Sequence, residues 1–194
     1  VTPYLKQVDL LAGKGILCSG TITIHTGVIM AFSNSMSRTV DKIDHLPSFL
    51  RVPVRSLLFG RVVPFTGTAG LTYRKVTPEE VIIEIKNVRK NQNHIKGVHA
   101  TAMALIAETA TGFVVGMNVP DDKLPLMKSL KVSYLKRTKG DMKAVARLTE
   151  EQVASIRNDP KGDVTVPVSV TDETGEEPVS CEMVWAWVPK KKKE

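Results

Sequence analysis

The chain of 194 residues contains only two cysteines, Cys18 and Cys181. That is too few for a disulfide scaffold or a four-thiolate metal site, so a reducing compartment is expected. Long uncharged apolar runs are also missing. The most apolar early stretch, Leu10 to Phe32, carries Lys14, His25 and several Ser and Thr, which makes it a poor membrane span and a poor secretory signal. There is no P-loop, no dinucleotide fingerprint and no His-Glu-x-x-His pattern, so no cofactor and no metal are expected. Apart from a terminal run of lysines, repeats and low-complexity segments are absent, and the composition rules out a collagen, a disordered tail and a coiled coil. The chain opens at Val1 rather than Met, as after removal of a presequence; the expected location is the cytoplasm or the mitochondrial matrix, not secretion.

What is present is a globular composition, 42% hydrophobic and 24% charged, with a net charge of +7. Lys190 to Lys193 supply much of that excess, and the remainder suits a phosphorylated ligand better than a nucleic acid. Residues 1–65 read as an N-terminal helical extension. Ile29, Phe32, Met36, Val40 and Ile43 form one apolar stripe that stops before Pro47, and Pro53 opens a short second helix ending at Gly60. Residues 66–188 read as the main domain, and residues 189–194 as a basic, solvated tail.

In the main domain the period changes to two, with Val81, Ile83 and Ile85 facing one way and Ile82, Glu84 and Lys86 the other. Residues 95–115 are Ala-rich and almost continuously apolar, predicting a helix buried nearly all round. Four alternating segments follow, around 130–134, 142–148, 164–170 and 179–187, with a capped helix from Thr149 to Ile156 between the second and third. A turn through Asp172, Thr174, Gly175 and Glu176 is expected to join the last two segments as a hairpin. The fold class is α+β, an antiparallel sheet wrapped around one central helix.

The polar passage Asn91 to Thr101 leads into that helix, and Glu108 is the one ionisable residue within it. A buried glutamate has its pKa raised, which suits a general base near neutrality; read blandly, it is a carboxylate satisfied by Thr111 or a backbone donor. His99 stands where free N–H groups and the positive end of the helix dipole can hold an oxyanion, and Asn93 can orient a water or a carbonyl. Nine residues put His99 and Glu108 about half a turn out of phase. One chain cannot bring both to one carbonyl, whereas a two-fold dimer can, giving two equivalent sites.

Asn93, His99 six residues on, and Glu108 nine further, at the start of a buried helix followed by antiparallel strands, resemble the hotdog-fold acyl-CoA thioesterases. The resemblance covers roughly residues 66–188 and is nearest to a thioesterase-like subfamily with an extra N-terminal helical segment. It implies that Glu108 is base or nucleophile, that the Ala100 N–H holds the oxyanion, and that Asn93 and His99 orient carbonyl and water. The family's Gly-Gly is replaced here by Ala100-Thr101. The serine of some relatives has no clear match near Leu126 to Ser129, and either departure is expected to lower activity.

The implied partners are an acyl-CoA substrate and a second copy of the chain, as a homodimer or dimer of dimers. Between residues 128 and 147 seven basic residues stand against Asp141 alone. Arg137 and Lys139 are the expected phosphate contacts, with Thr111 as a further substrate-binding residue and Phe32, Met36, Phe59 and Met103 closing the acyl pocket. Only Tyr134 among aromatics falls in the basic strand, so nucleic acid is not expected. Two alternatives stay open. One is dehydration of a 3-hydroxyacyl thioester using His94, fourteen residues before Glu108, although the prolines usual between such residues are absent. The other is a catalytically silent scaffold within a larger assembly.

Overall fold

The computed structural model describes residues 32–191. Helix α1 (Ser35–Asp44) is set by its cap: Asn34 Oδ1 accepts from the Ser37 N–H at 2.8 Å, while the Asn34 N–H donates to Ser37 Oγ at 2.9 Å. The same buried asparagine donates through Nδ2 to the carbonyls of Gly116 and Val119, both at 2.8 Å. One side chain therefore caps α1 and ties it to the end of the central helix. Of the expected stripe, Val40 and Ile43 are buried and Met36 packs against the core; Ile29, like Cys18, lies outside the described residues.

Helix α2 (Ser48–Val62) begins five residues before Pro53, correcting the expected start. The proline takes away only the bond to the Phe49 carbonyl, and Phe49 sits in an exposed first turn. Gly60 does not stop the helix either. It faces Gly67 of α3 (Pro64–Ala69), where an added Cβ on Gly67 would lie 2.4 Å from the Gly60 carbonyl oxygen. These two glycines let α2 and α3 touch backbone to backbone. Helix α3 runs across the expected 65/66 boundary.

Strands β1 (Thr72–Val76) and β2 (Glu80–Ile85) follow, with Val81, Ile83 and Ile85 fully buried as the alternation requires. The central helix α4 spans Ala100–Gly116 and begins later than expected, since Ile95 to His99 form a loop. The remaining elements are β3 (Lys123–Tyr134), β4 (Met142–Arg147), α5 (Glu150–Asn158), β5 (Gly162–Val166), β6 (Val168–Asp172) and β7 (Val179–Pro189). Thr149 caps α5 in a reciprocal pair with Gln152.

All pairings are antiparallel, in two sheet segments ordered β1-β2-β4-β6 and β3-β7-β5, both packed on α4. The expected strand over 164–170 is thus two strands. Pro167 has no N–H to continue a ladder, so the chain breaks there, sending β5 to β7 and β6 to β4. The turn at Asp172–Glu176 forms, with Gly175 at φ +81°, but β6 and β7 belong to different sheet segments, so it is a corner rather than a paired hairpin. β3 starts earlier than expected and includes Pro125. As an edge strand it tolerates a residue without a donor.

Three rings weld the helical extension to the core: Phe59 of α2, Tyr73 of β1 and Phe113 of α4, with centroids 4.8–5.3 Å apart. Beyond β7, Lys190 is fastened to the body, its N–H and Nζ each donating to a backbone carbonyl at Asp122 and Asp121, both at 2.8 Å, so the expected solvated tail does not begin at 189; residues 192–194 lie outside the described residues. Among the described residues no helix is long and apolar enough to cross a membrane.

Candidate active site

Glu108 lies on the one face of α4 that is not closed. Between Met103 and Gly116 only Ala104, Glu108 and Gly112 keep partial exposure, and their i, i+4, i+8 spacing puts them on one line. The carboxylate borders a cavity of about 170 Å³ walled by Met36, Val63, Thr66, Phe113, Pro125 and Trp185. Burial in this apolar setting pushes the Glu108 pKa up, partly offset by a long hydrogen bond of 3.4 Å from the Thr109 hydroxyl. Across the cavity wall Tyr73 donates to Thr66 Oγ1 at 3.0 Å. Desolvation pushes its phenol up to about 12, with the Glu108 charge adding to the rise.

Gly112 is what lets α4 rest on β7, because an added Cβ there would lie 2.6 Å from the Trp185 ring. The Trp185 Nε1–H donates to Thr111 Oγ1 at 2.9 Å, and the Thr111 hydroxyl donates to the Ala107 carbonyl at 2.9 Å. Thr111 is fully buried. The expectation that it binds substrate is therefore corrected: its hydroxyl is spent holding Trp185, and it reaches no cavity.

His99 is the N-cap of α4, with Nδ1 3.2 Å from the Thr101 N–H and 2.8 Å from Thr101 Oγ1. It is exposed and borders a second cavity of about 260 Å³ with Phe65, Lys90 and Leu105. Asn93 and Ala100 border a third, of about 530 Å³, with Met103, Tyr134, Leu135 and Arg137. Asn93 Oδ1 accepts from the Ile95 and Gly97 N–H groups at 3.0 and 3.1 Å, so its oxygen shapes the loop and its Nδ2 is the group left to reach a ligand. The Ala100 N–H makes no hydrogen bond among the described residues, while the Ala100 carbonyl accepts from Tyr134 at 2.9 Å. Gly97 approaches Thr138 closely enough that an added Cβ would sit 3.0 Å from its hydroxyl oxygen. This closeness makes the Asn93 loop and the β3–β4 loop the two walls of the Ala100 cleft.

Within one chain, then, Asn93 and Ala100 share a cleft, while His99 and Glu108 stand in two others. His94 is exposed in the loop and borders none of the three. Asn91 is buried and structural, its amide donating to the Ala69 and Lys86 carbonyls. Of the residues expected to close the acyl pocket, only Met36 lines the Glu108 cavity. Met103 lines the Ala100 cleft, Phe59 belongs to the aromatic cluster, and Phe32 lies under the Arg157 guanidinium, 4.4 Å from its ring centroid.

Arg137 borders both the Ala100 cleft and an adjoining hollow; Lys139 borders only the hollow, with Lys136, Asp172 and Glu176. In the basic run Lys128 pairs with Asp163, Lys136 with Glu176 and Arg147 with Glu80, whereas Arg137 and Lys139 have no ion pair among the described residues. Val63, Thr66, Pro125 and Trp185 are cavity residues that sequence reasoning did not single out. The alternation around Trp185 marked it as core, with no signal that it would wall the Glu108 cavity. Burial pushes the half-buried Cys181 thiol up to about 11, and it plays no part in these clefts.

Solved structures share this fold at low identity. A Pseudomonas aeruginosa protein of unknown function, described as a probable thioesterase, is 22% identical with a TM-score of 0.63, the match covering 75% of this chain and 97% of that one. A Staphylococcus aureus thioesterase mutant is 16% identical with a TM-score of 0.55, covering 65% and 99%. A Haemophilus influenzae thioesterase is 9% identical with a TM-score of 0.51, covering 64% and 82%. No curated protein matches the sequence. The family described as "Domain of unknown function (DUF4442)" matches residues 53–188, beginning inside α2. With its antiparallel sheets around one buried helix, the chain has the thioesterase-like hotdog fold and belongs to the DUF4442 family.

Proposed function

We propose that the protein hydrolyses an acyl-CoA thioester at a site shared between two subunits. The observation that carries this reading is Glu108: a single carboxylate on the central helix, its pKa raised by burial, at the edge of an apolar cavity with room for an acyl chain. In this reading Glu108 takes a proton from a water, and the water oxygen bonds to the thioester carbonyl carbon. The Ala100 N–H of the second subunit stabilises the resulting oxyanion, with Asn93 Nδ2 orienting the carbonyl and His99, the cap of α4, holding the helix start that aims that N–H. Collapse breaks the carbon–sulfur bond, and the proton held by Glu108 goes to the departing thiolate, giving a carboxylic acid and free coenzyme A.

Two features support the second subunit. The open stripe Ala104-Glu108-Gly112 is free of bulky side chains besides the glutamate. β3 is a long edge strand with Leu124, Leu126, Leu130 and Tyr134 exposed, the kind of edge that pairing covers. Free-thiol release from a panel of acyl-CoAs, comparing wild type with Glu108→Gln, tests the proposal. Hydrolysis lost in the variant is expected. No thiol release by wild type from any chain length would overturn it.

A further inference from the structure

The helical extension presents an apolar surface with a charge pattern of its own. On α2, Phe49, Leu50, Pro53, Leu57 and Arg61 fall within about a third of the helix circumference at 100° per residue, and all are exposed. Phe49 is 74% exposed, Leu57 60%, Val62 at the end of the helix 68%, and Phe65 of α3 63%. The opposite face of α2 buries Arg55 and Phe59, so the outward apolar residues are surplus to the core.

From His45 to Pro78 there is no Asp or Glu, while Arg51, Arg55, Arg61, Arg74 and Lys75 lie in that span. Three of the five are neutralised, Arg55 by Asp44, Arg74 by Glu84 and Lys75 by Glu80. Arg51 and Arg61, beside the exposed apolar residues, have no carboxylate partner among the described residues. Arg51 only donates from Nε to the Leu46 carbonyl at 2.9 Å.

Large apolar side chains flanked by uncompensated arginines, on a surface without acids, fit the interface of an anionic bilayer: acyl boundary for the rings and leucine, headgroup phosphates for the guanidinium groups. A second copy of the same face would bring like charges together and is the poorer occupant. We infer that the outer face of α2 and the adjoining end of α3 dock on an anionic lipid surface. Docking of this kind is independent of the proposed hydrolysis. It would also turn Val63, which walls the Glu108 cavity, toward the lipid.

Co-sedimentation of the full chain with vesicles tests the inference, using phosphatidylcholine alone and phosphatidylcholine mixed with phosphatidylserine. Binding to the mixed vesicles only, weakening with salt, is expected. The triple variant Phe49→Ser, Leu57→Ser, Phe65→Ser, with its circular dichroism spectrum unchanged, should bind at least tenfold more weakly. Arg51→Ala with Arg61→Ala should lose roughly fivefold per arginine, from about 1 kcal/mol each. The charge-matched control Lys131→Ala with Lys143→Ala should lose little. Undiminished binding by the triple variant would assign the effect to basic residues elsewhere, including the terminal lysines, and overturn the inference. Equal binding to neutral vesicles would overturn it too, as would vesicles left unbound by a wild type whose oligomer the triple variant dissolves.

Discussion

The Trp185 indole donates to the Thr111 hydroxyl at 2.9 Å, directly beside the glycine that lets the ring lie against α4. That bond fixes the cavity wall facing Glu108. Thr111→Val keeps the shape and removes the acceptor, leaving a buried N–H without a partner. The expected loss is about 1–3 kcal/mol of stability, measured as a lower urea midpoint with the slope unchanged. A neutral result would mean that the indole finds another acceptor.

Glu108→Gln should separate chemistry from stability. As a base the glutamine is useless, so kcat should fall roughly 10²- to 10⁴-fold. Burial raises the Glu108 pKa in the folded chain above its ordinary 4.5. The stability linked to its protonated form is therefore complete below the ordinary value and is lost as pH rises through the raised one. The variant, never charged, should melt at a higher temperature than wild type near neutral pH, and the gap should close as pH falls toward 4.5. Wild-type kcat/KM should rise with pH through a value above 4.5. A rise centred below 4.5 would move the base elsewhere.

His99 and Glu108 border separate cavities of one chain, so the shared site needs a dimer. Light scattering should give a dimer or dimer of dimers at micromolar concentration. Inactive His99→Ala and Glu108→Ala chains, refolded together, should recover part of the activity, because a mixed dimer holds one intact composite site. A monomer, or mixtures as inactive as their components, would remove the two-subunit mechanism.

Much of this arrangement is readable in the sequence because it rests on local periodicity. The alternation of Val81, Ile83 and Ile85, the Ala-rich run of α4 and the Thr149–Gln152 cap each depend on residues a few positions apart. Where the outcome depends on distant partners, local pattern fails. The valines at 164–170 alternate without interruption, yet Pro167 divides them between two sheet segments. Gly60 reads as a helix stop because nothing nearby reveals Gly67 against it. Thr111 sits one turn from Glu108 and looks available; only the position of Trp185, 74 residues away, shows that its hydroxyl is taken. Asn93 and Ala100 are legible as a pair because they lie seven residues apart across one loop and the helix start it feeds, whereas Met36 and Pro125 reach the Glu108 cavity through tertiary packing.

Met36 should set acyl-chain length. It walls the Glu108 cavity, and its Cε would lie 3.1 Å from a Cβ added at Gly116, so it fills the space beside the end of α4. The cavity of about 170 Å³ is the smallest of the three clefts, which suits a short chain. Met36→Ala should move the kcat/KM optimum toward longer acyl-CoAs, each methylene newly accommodated being worth about 1–3 kcal/mol. An unchanged chain-length profile in an active, folded variant would place the acyl group in another cleft.

Arg137 and Lys139 both stand in the β3–β4 loop without an ion pair among the described residues, but their surroundings separate them. Arg137 borders both the cleft that holds Ala100 and Asn93 and the hollow beside it. Lys139 borders only the adjoining hollow, where Asp172 and Glu176 stand among the basic residues, and it does not reach the Ala100 cleft. Arg137→Ala should therefore raise KM for acyl-CoA by up to about fivefold, the range of an exposed charge pair. It should leave kcat nearly unchanged, because a phosphate contact remote from the carbonyl is present in ground and transition states alike. Lys139→Ala should do little. Added salt screens such contacts over about 8–10 Å, so the wild-type KM should climb with ionic strength while that of Arg137→Ala responds weakly. A short thioester without the nucleotide should not distinguish the two proteins. Equal acyl-CoA kinetics for wild type and Arg137→Ala at low salt would mean that the nucleotide is held elsewhere and that this loop is a solvated basic surface.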